Sequence, residues 1–400
     1  MHLSPTDPPS RVLHLTQPVD GGVARVVTDL TRAQLAAGLR VSVACPEGPR
    51  AAALRALGAD VRGWEATRSP GPALAGEVRR IARIVADVRP DVVHAHSAKA
   101  GLAGRLAVRG RIPTVFQPHA WSFEAVGGAT AALARGWERC GARWAGRVVC
   151  VSEAERLRGL RAGLRARWSV VPNGVDTAVF RPGSARSARE RLPLVAGLDP
   201  LTPLVVCVGR LCRQKGQDVL LRAWPAVLGR VPGARLVLVG DGPGRARLAA
   251  RAPAGSVLFT GAADDPAPWY RAADLVVLPS RWEGMALAPL EAMACERPVV
   301  VTDVGGARES LPGVLAASCL VPPEDPGALA AAVAGLLLDP PLRAYLGRRG
   351  RRHVLSAHDV RLTAAAVGDV YRGLLAGGPT PPDRPAERVA PCPYRESSHS

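Results

Sequence analysis

The chain has 400 residues, 48% of them hydrophobic and 22% charged, with a formal net charge of +18. That length exceeds one ordinary domain and the apolar content suffices for two cores, which sets aside a disordered chain or a single small module. No run of about 18 uncharged apolar residues occurs, so a membrane-spanning helix is not expected.

The charge raises the question of nucleic acid or an anionic membrane as partner. Of the 52 basic residues only Lys99 and Lys215 are lysines; the rest are arginines, and Ala, Gly and Pro are abundant too. This reads as a GC-rich coding bias as much as a polyanion surface, and nucleic acid is not an expected partner. The first 180 residues carry 25 basic and 14 acidic side chains, a surplus of 11, against 7 for the remainder. The eight cysteines are scattered without a Cys-x-x-Cys, and the N-terminus has no basic-then-apolar leader. A reduced, cytoplasmic protein is the expectation.

In chain order, residues 11–15 read as a buried strand, Pro18 to Gly22 as a glycine turn, and 23–37 as a helix. Strand signals recur at 40–45, 91–96, 112–117, 147–151 and 169–172, with a helix near 74–88 and others between. A Pro-, Gly-, Ser- and Arg-rich stretch at 181–203 is the expected linker. A second alternation places strands near 204–208, 235–239, 256–260, 274–278 and 298–302, followed by helix over 341–376. The expected plan is an α/β protein of two parallel-sheet domains: 1–180, then 204–360, then a helix at 361–376 returning to the first domain, and a disordered tail at 377–400.

Ligands of open α/β sheets bind beyond the carboxyl ends of the strands, which makes four loops candidates for one site. The first is Pro279-Ser-Arg-Trp-Glu283-Gly284-Met285-Ala286-Leu287-Ala-Pro289-Leu-Glu291, after a strand. Pro289 suits a first helical turn, and the amides of 284–288 would then present partial positive charge to a diphosphate. Glu283 and Glu291, with seven residues between them, would grip a ligand at two points. The second is Gly209-Arg210-Leu-Cys-Arg-Gln-Lys215-Gly216, where two fixed cations would stabilise charge growing on a leaving diphosphate. The third is Gly21-Gly22, where bare backbone admits a phosphate or acceptor. The fourth centres on His119, just past a strand.

Other patterns carry less. His94-x-His96 suggests a metal, but no further ligand stands nearby in sequence, and no metal or other cofactor is expected. There is no Asp-x-Asp and no P-loop. Gly240-Asp-Gly-Pro-Gly244 reads as a strand-to-helix turn at the cleft rim. Arg135, Arg139, Arg143 and Arg147 repeat every four residues with Trp137 and Trp144 among them, followed by Arg156, Arg158, Arg161, Arg165 and Arg167. On helices these would form a basic stripe, read first as a solvated arginine face and second as a surface for anionic lipid that would put the protein at the inner face of a membrane.

Together these residues resemble glycosyltransferase family 4, a retaining group of GT-B glycosyltransferases. The likeness rests on Val208-Gly-Arg-x4-Lys-Gly216, the Glu283/Glu291 block, Val300-x-Thr-Asp-Val-Gly-Gly306, Val171-Pro-Asn-Gly-Val-Asp176 and Asp91-Val-Val-His-Ala-His-Ser97, and it spans nearly the whole chain. The resemblance implies two Rossmann-like domains facing across a cleft, with a nucleotide-sugar donor held mostly by the second. It implies Arg210 and Lys215 at the diphosphate, Glu283 and His119 at the sugar, Glu291 at the ribose, backbone near Ala263 and Leu287 at base and ribose, and Gly21-Gly22 on the phosphate and acceptor side. It implies a hexosyl transfer from a UDP- or GDP-linked donor to a glycan or lipid-linked acceptor, without metal. Met285-Ala286 and Glu296 depart from the family pattern, which puts an aromatic and a glycine, and another glycine, at those places. A nucleotide-sugar 2-epimerase of the same architecture and a non-catalytic sugar-nucleotide binding subunit are the alternatives.

Overall fold

The computed structural model describes residues 10–67 and 70–377. Residues 1–9, 68–69 and 378–400 lie outside the described residues, and with them all but the first residue of the tail expected at 377–400.

The first sheet holds β1 (Arg11–Thr16), β2 (Arg40–Cys45), β3 (Asp60–Gly63), β4 (Val92–His96), β5 (Thr114–Gln117), β6 (Arg147–Cys150) and β7 (Trp168–Val170), in the order β3-β2-β1-β4-β5-β6-β7. The second holds β8 (Leu204–Val208), β9 (Arg235–Val239), β10 (Val257–Gly261), β11 (Leu275–Leu278), β12 (Val299–Thr302) and β13 (Leu320–Val321), in the order β10-β9-β8-β11-β12-β13. Every pairing is parallel. The cause is visible in the strands themselves. Leu-Val-Val-Leu in β11 and Val-Val-Val-Thr in β12 are buried at every position, the continuous apolar run of a sheet covered by helices on both faces. Each such side chain removed from water contributes on the order of 1.5–3 kcal/mol before entropy is counted.

In both sheets the strand order reverses beside the first strand, between β1 and β4 and between β8 and β11. Crevices form at such switch points because neighbouring crossovers depart to opposite faces. The loops carrying the candidate residues leave those strands: Gly21-Gly22 after β1, Arg210 and Lys215 after β8, Glu283 after β11, with His119 one strand further, after β5. The two sets of carboxyl ends face each other. Ser152 Oγ donates to the Gly284 carbonyl at 3.2 Å, Asn173 Nδ2 to the Met285 carbonyl at 2.8 Å, and Arg158 to the Glu283 carbonyl at 3.3 Å. The Glu309 carboxylate of the second domain caps the first-domain helix Glu153–Arg161, accepting the Glu153 and Ala154 amides at 2.6 and 2.8 Å.

The crossover back to the first domain occurs at His358-Asp359, between helices Pro340–Ala357 and Val360–Leu375. Gly174 seats it: a Cβ there would stand 2.6 Å from Thr363 Oγ1 and 2.8 Å from the Asp359 carbonyl. The final helix then delivers Tyr371 to His94 and Leu374 to the backbone of Gly146.

Two expectations change. The stretch 181–203 is packed structure: helix Ala185–Glu190 lies in it, and the buried Arg189 donates to the carbonyls of Ala272, Pro200 and Thr202 and pairs with Asp274. One arginine satisfying four acceptors turns a composition typical of linkers into a fixed strap. The arginine stripe is also broken up. Arg135 and Arg139 lie on helix Gly128–Gly141, Arg143 in a 3-10 turn, and Arg147 is buried on β6. The structure also adds two strands, β3 and β13, which carry too few consecutive buried apolar residues to announce themselves in sequence.

Candidate functional site

The loop after β8 is shaped by sterics. Gly216 sits at φ +65°, and a Cβ there would lie 1.9 Å from the Pro279 carbonyl. Only glycine lets this loop touch the loop after β11, and the contact brings Lys215 to Glu283. Lys215 Nζ and Glu283 Oε1 are 2.5 Å apart, and the Ser280 hydroxyl donates to the same oxygen at 2.7 Å. Arg281 rivets the two loops. Its amide donates to the Gln214 carbonyl at 2.7 Å, and its guanidinium grips Asp218 through two bonds of 2.8 and 2.7 Å while also pairing with Glu324. Those two carboxylates push the Arg281 pKa up.

Arg210 stands two residues after β8, and its guanidinium makes no hydrogen bond or ion pair among the described residues. The glycine turn at 240–244 supports its loop from behind: the Leu211 amide donates to the Asp241 carbonyl and the Gly244 amide to the Leu211 carbonyl, at 2.9 and 2.8 Å. Gly209 precedes Arg210, and its carbonyl lies against Gly240, where a Cβ would approach to 2.1 Å.

Helix Leu287–Ala294 starts as the sequence suggests, with Pro289 in its first turn, and the amides of Met285 to Ala288 make no hydrogen bond among the described residues. Glu291 lies within this helix and is 4% exposed. Tyr270 donates its hydroxyl to Glu291 Oε2 at 2.7 Å, and Arg25, from the first domain, stands 3.3 Å from Oε1. Burial raises the Glu291 pKa, while Arg25 and Tyr270 pull it back. Burial and the facing carboxylate raise the Tyr270 pKa well above the usual phenol range, which keeps its proton for donation.

The remaining residues close the site from around these pairs. Gly284 faces the first domain, where a Cβ would meet the His119 carbonyl at 2.4 Å and Val151 at 2.9 Å. Met285 and Leu287 are buried and Ala286 is half-buried; Gly22 packs on Leu287 at 3.8 Å. Gly21 and Gly22 open the 16-residue helix Gly21–Ala36, so its N-terminus is aimed at the cleft. Ala263, just beyond β10, is half-buried against the second core. The structure thus brings Lys215, Glu283, Gly284 and His119 into one contact chain, and Glu291 beneath the Gly22 and Arg25 end of the same helix.

His119 itself sits at φ +61°, in the left-handed region that few non-glycine residues enter and that histidine enters more readily than most. Its ring begins a buried row. His119 Nε2 is 3.1 Å from His96 Nδ1, His96 Nε2 is 2.9 Å from His14 Nδ1, and His14 Nε2 is 2.8 Å from Gln34 Oε1. His94 stacks on His96 at 4.0 Å between centroids and bonds Tyr371 Oη at 2.6 Å. Burial lowers every one of these imidazoles, His14 to about 4 and His119 to about 3, so the row is neutral at pH 7. His14 thus completes the His94-x-His96 group that looked isolated in sequence: ring nitrogens of the three lie within 4.8 Å of one another. The reason it was missed is topological, because β1 and β4 are sheet neighbours separated by 80 residues of chain. Arg25, Tyr270, Ser280 and Arg281 were missed for the same reason, except that Ser280 and Arg281 stood unread inside a loop already singled out.

Two family descriptions match this chain: Glycosyltransferase Family 4 over residues 20–179 and Glycosyl transferases group 1 over residues 202–339. The D-inositol 3-phosphate glycosyltransferase of Acidothermus cellulolyticus is 36% identical over 323 residues, 72% of this chain and 68% of that protein. The lipopolysaccharide core biosynthesis mannosyltransferase LpsB of Rhizobium meliloti is 33% identical over 229 residues, 54% of this chain and 64% of that protein. With other D-inositol 3-phosphate glycosyltransferases, from Segniliparus rotundus and Catenulispora acidiphila, the match spans about half of their length, 53% in each. Among solved structures, sucrose-phosphate synthase from Thermosynechococcus elongatus superposes with a TM-score of 0.77 at 23% identity over 92% of this chain and all of that one. Anabaena Alr3699/HepE in complex with UDP and glucose gives 0.77 at 23% over 91% of this chain and all of that one. The two facing parallel-sheet domains are the GT-B fold.

Proposed function

Because this chain belongs to glycosyltransferase family 4, we propose that it transfers a hexosyl group from a UDP- or GDP-linked donor to a glycan or lipid-linked acceptor with retention of configuration. The observation that carries the reading is the Lys215–Glu283 contact at the switch point of the second sheet, with the Arg210 guanidinium on the same loop and the amides of 285–288 on the next making no hydrogen bond among the described residues.

The chemistry follows from charge. Breaking the bond between sugar and diphosphate leaves a growing dianion. Arg210, Lys215 and the helix N-terminus at Leu287 are fixed positive groups that need no reorganisation to meet it. Lys215 is held by Glu283 until a diphosphate offers a better partner; Glu283 is then released toward the sugar hydroxyls. Glu291 accepts from the ribose diol, and Tyr270 fixes its other oxygen. Glu291 is held by Arg25 and Tyr270, and Glu283, once released, is assigned to the sugar hydroxyls, so neither carboxylate is an obvious nucleophile for the anomeric carbon. We therefore favour front-face substitution, in which the leaving diphosphate takes the proton of the incoming hydroxyl. The charge on the diphosphate is met by side chains and amides, which supports a reaction without metal. Support for a nucleotide donor and a glycan acceptor comes from relatives named as mannosyl and D-inositol 3-phosphate transferases and from a neighbour solved with UDP-glucose.

No single helix among the described residues is long and apolar enough to cross a membrane. We place the enzyme on the inner face of the membrane, held by the arginine-rich underside of its first domain.

The test is a thermal-shift screen of UDP- and GDP-sugars on the native chain and on Lys215→Ala. One donor should raise the native melting temperature by mass action and leave the variant unmoved. If none moves the native chain, the donor-site reading fails. Release of UDP or GDP that requires an acceptor separates transfer from epimerisation, and a covalent glycosyl-enzyme caught by mass spectrometry would replace the front-face mechanism.

A further inference from the structure

The row of histidines under the cleft has a direction. Gln34 has two ends. The contact of His94 Nδ1 with Tyr371 Oη is 2.6 Å, in the range of a hydroxyl donor and short for a ring N–H. With its proton given to His94, the Tyr371 oxygen accepts from Gln34 Nε2, 3.4 Å away. The carbonyl end of Gln34 is then the one that faces His14, and a carbonyl only accepts.

From that point each ring settles the next. His14 must carry its proton on Nε2 to donate to Gln34, which leaves Nδ1 bare. His96 must then donate from Nε2 into His14 Nδ1, which leaves its own Nδ1 bare. His119 must donate from Nε2 into His96 Nδ1. In a neutral imidazole one nitrogen is a donor and the other an acceptor. His119 Nδ1 is thereby left as a lone pair. It makes no hydrogen bond among the described residues, and the residue itself is only half-buried, against the donor loop at Gly284.

We propose that Gln34, His14 and His96 are positioning residues that lock His119 into a single tautomer, so that its Nδ1 accepts a hydrogen bond from a hydroxyl of the donor hexose. This rests on the donor-site reading above. It makes the hexose increment of binding, and not the nucleotide increment, depend on a glutamine buried behind the first sheet. It also sets a selection rule: the site takes a sugar that offers an O–H at that place and rejects the deoxy analogue, because one hydrogen bond is worth about three- to tenfold in affinity.

The same atoms have a rival use that is incompatible with the row. His14, His94 and His96 have nitrogens close enough to ligate an ion, and the buried His94 Nε2 has no partner at hydrogen-bonding geometry among the described residues. A metal there would take the lone pair of His14 Nδ1 or the proton of His96 Nε2 and break the row.

The experiment has two readouts on the full chain. In the first, calorimetric affinities are measured for UDP-glucose and GDP-mannose, with UDP and GDP as sugar-free controls, on the native chain, Gln34→Leu and Gln34→Glu. The proposal expects Gln34→Leu to weaken binding of the accepted nucleotide-sugar about three- to tenfold and leave its nucleotide unchanged, and Gln34→Glu, which still presents an acceptor to His14, to restore the native ratio. An unchanged ratio in Gln34→Leu overturns it. The second readout needs no ligand and no variant that folds differently. In 15N-histidine chain, two-bond nitrogen–proton correlation spectra should show His119, His96 and His14 each protonated only on Nε2. A His119 signal with its proton on Nδ1, or one stoichiometric metal ion in the purified protein, overturns the proposal. If neither nucleotide nor nucleotide-sugar binds, the donor-site reading fails by itself, and the spectra still decide whether the row fixes the tautomer.

Discussion

Arg25 and Glu291 form an ion pair across the cleft, 3.3 Å from Nε to Oε1, linking the first helix of one domain to the donor helix of the other. Glu291 is the carboxylate assigned to the ribose diol, so the two domains are joined here by a residue that competes with the ligand. The Arg25 guanidinium also lies over Phe180 at 5.2 Å, which gives it a second resting place in the same region. Removing Arg25 takes away the competitor, and Arg25→Ala should bind UDP or GDP about two- to fivefold more tightly by calorimetry, the worth of a partly exposed pair. Weaker binding would mean that Arg25 contacts the nucleotide directly.

Gly216 and Gly284 make opposite predictions although both sit in the donor loops. At Gly216 an added Cβ would strike backbone of its own domain, at a positive φ, so Gly216→Ala should destabilise the chain by about 1–3 kcal/mol and disorganise Lys215. At Gly284 the obstruction is the His119 carbonyl and Val151 of the other domain. Gly284→Ala should therefore fold and bind nucleotide normally, with a larger radius of gyration in X-ray scattering and a turnover reduced at least tenfold, because closure and not donor binding is blocked. Equal loss of stability in both variants would contradict this division.

That contrast bears on what the sequence discloses. The parallel sheets are legible because β11 and β12 are uninterrupted apolar runs, and the donor loops because glycine, proline, a lone lysine and two carboxylates stand where strands end. The partners of those residues are not legible. Arg25 reaches Glu291 from 266 positions away and Tyr270 from 21, and neither arginine nor tyrosine has any feature in sequence that announces such a contact. His14 reads as a polar interruption of a strand, and only the β1–β4 pairing makes it a neighbour of His94 and His96. The strap around Arg189 fails differently: its composition is that of a linker, and a single buried side chain overrides it.

Glu155 carries a pH prediction. It is buried, its Oε2 accepts the Val151 amide at 2.7 Å, and its Oε1 has no hydrogen-bond partner among the described residues. Burial raises its pKa to about 8, against an ordinary carboxylate value when unfolded. Between those two values the folded chain holds a proton that the unfolded chain does not. Stability contributed by this group is present below the unfolded pKa and is lost as pH rises toward 8. Glu155→Gln keeps the acceptor for Val151 and removes the titration. It should be close to neutral at pH 5 and stabilising by about 1–3 kcal/mol at pH 8, read as melting temperature against pH. A stabilisation that is the same at both values would place the raised pKa elsewhere.

The underside of the first domain carries the last prediction. Arg143, Arg165 and Arg167 line an open groove of about 580 Å³ with Ile112 and Trp144, at the amino ends of β5, β6 and β7 and thus on the face away from the cleft. Arg143 lies over the Trp144 ring at 4.5 Å, and Leu133 nearby in sequence is 75% exposed. Guanidinium groups beside an amphipathic ring suit the phosphate layer of a bilayer, at roughly 1 kcal/mol per arginine near the surface. The native chain should co-sediment with phosphatidylglycerol vesicles, and affinity should fall steeply with added salt because exposed charges are screened within about 10 Å at 0.1 M. The triple variant Arg143→Ser, Arg165→Ser, Arg167→Ser should lose most of that binding, on the order of a hundredfold, while nucleotide affinity in solution stays unchanged since none of the three approaches the donor loops. Retention of vesicle binding by the triple variant would move the membrane contact to another face of the molecule, and binding to neutral phosphatidylcholine alone would show that apolar groups such as Leu133, and not the arginines, make it.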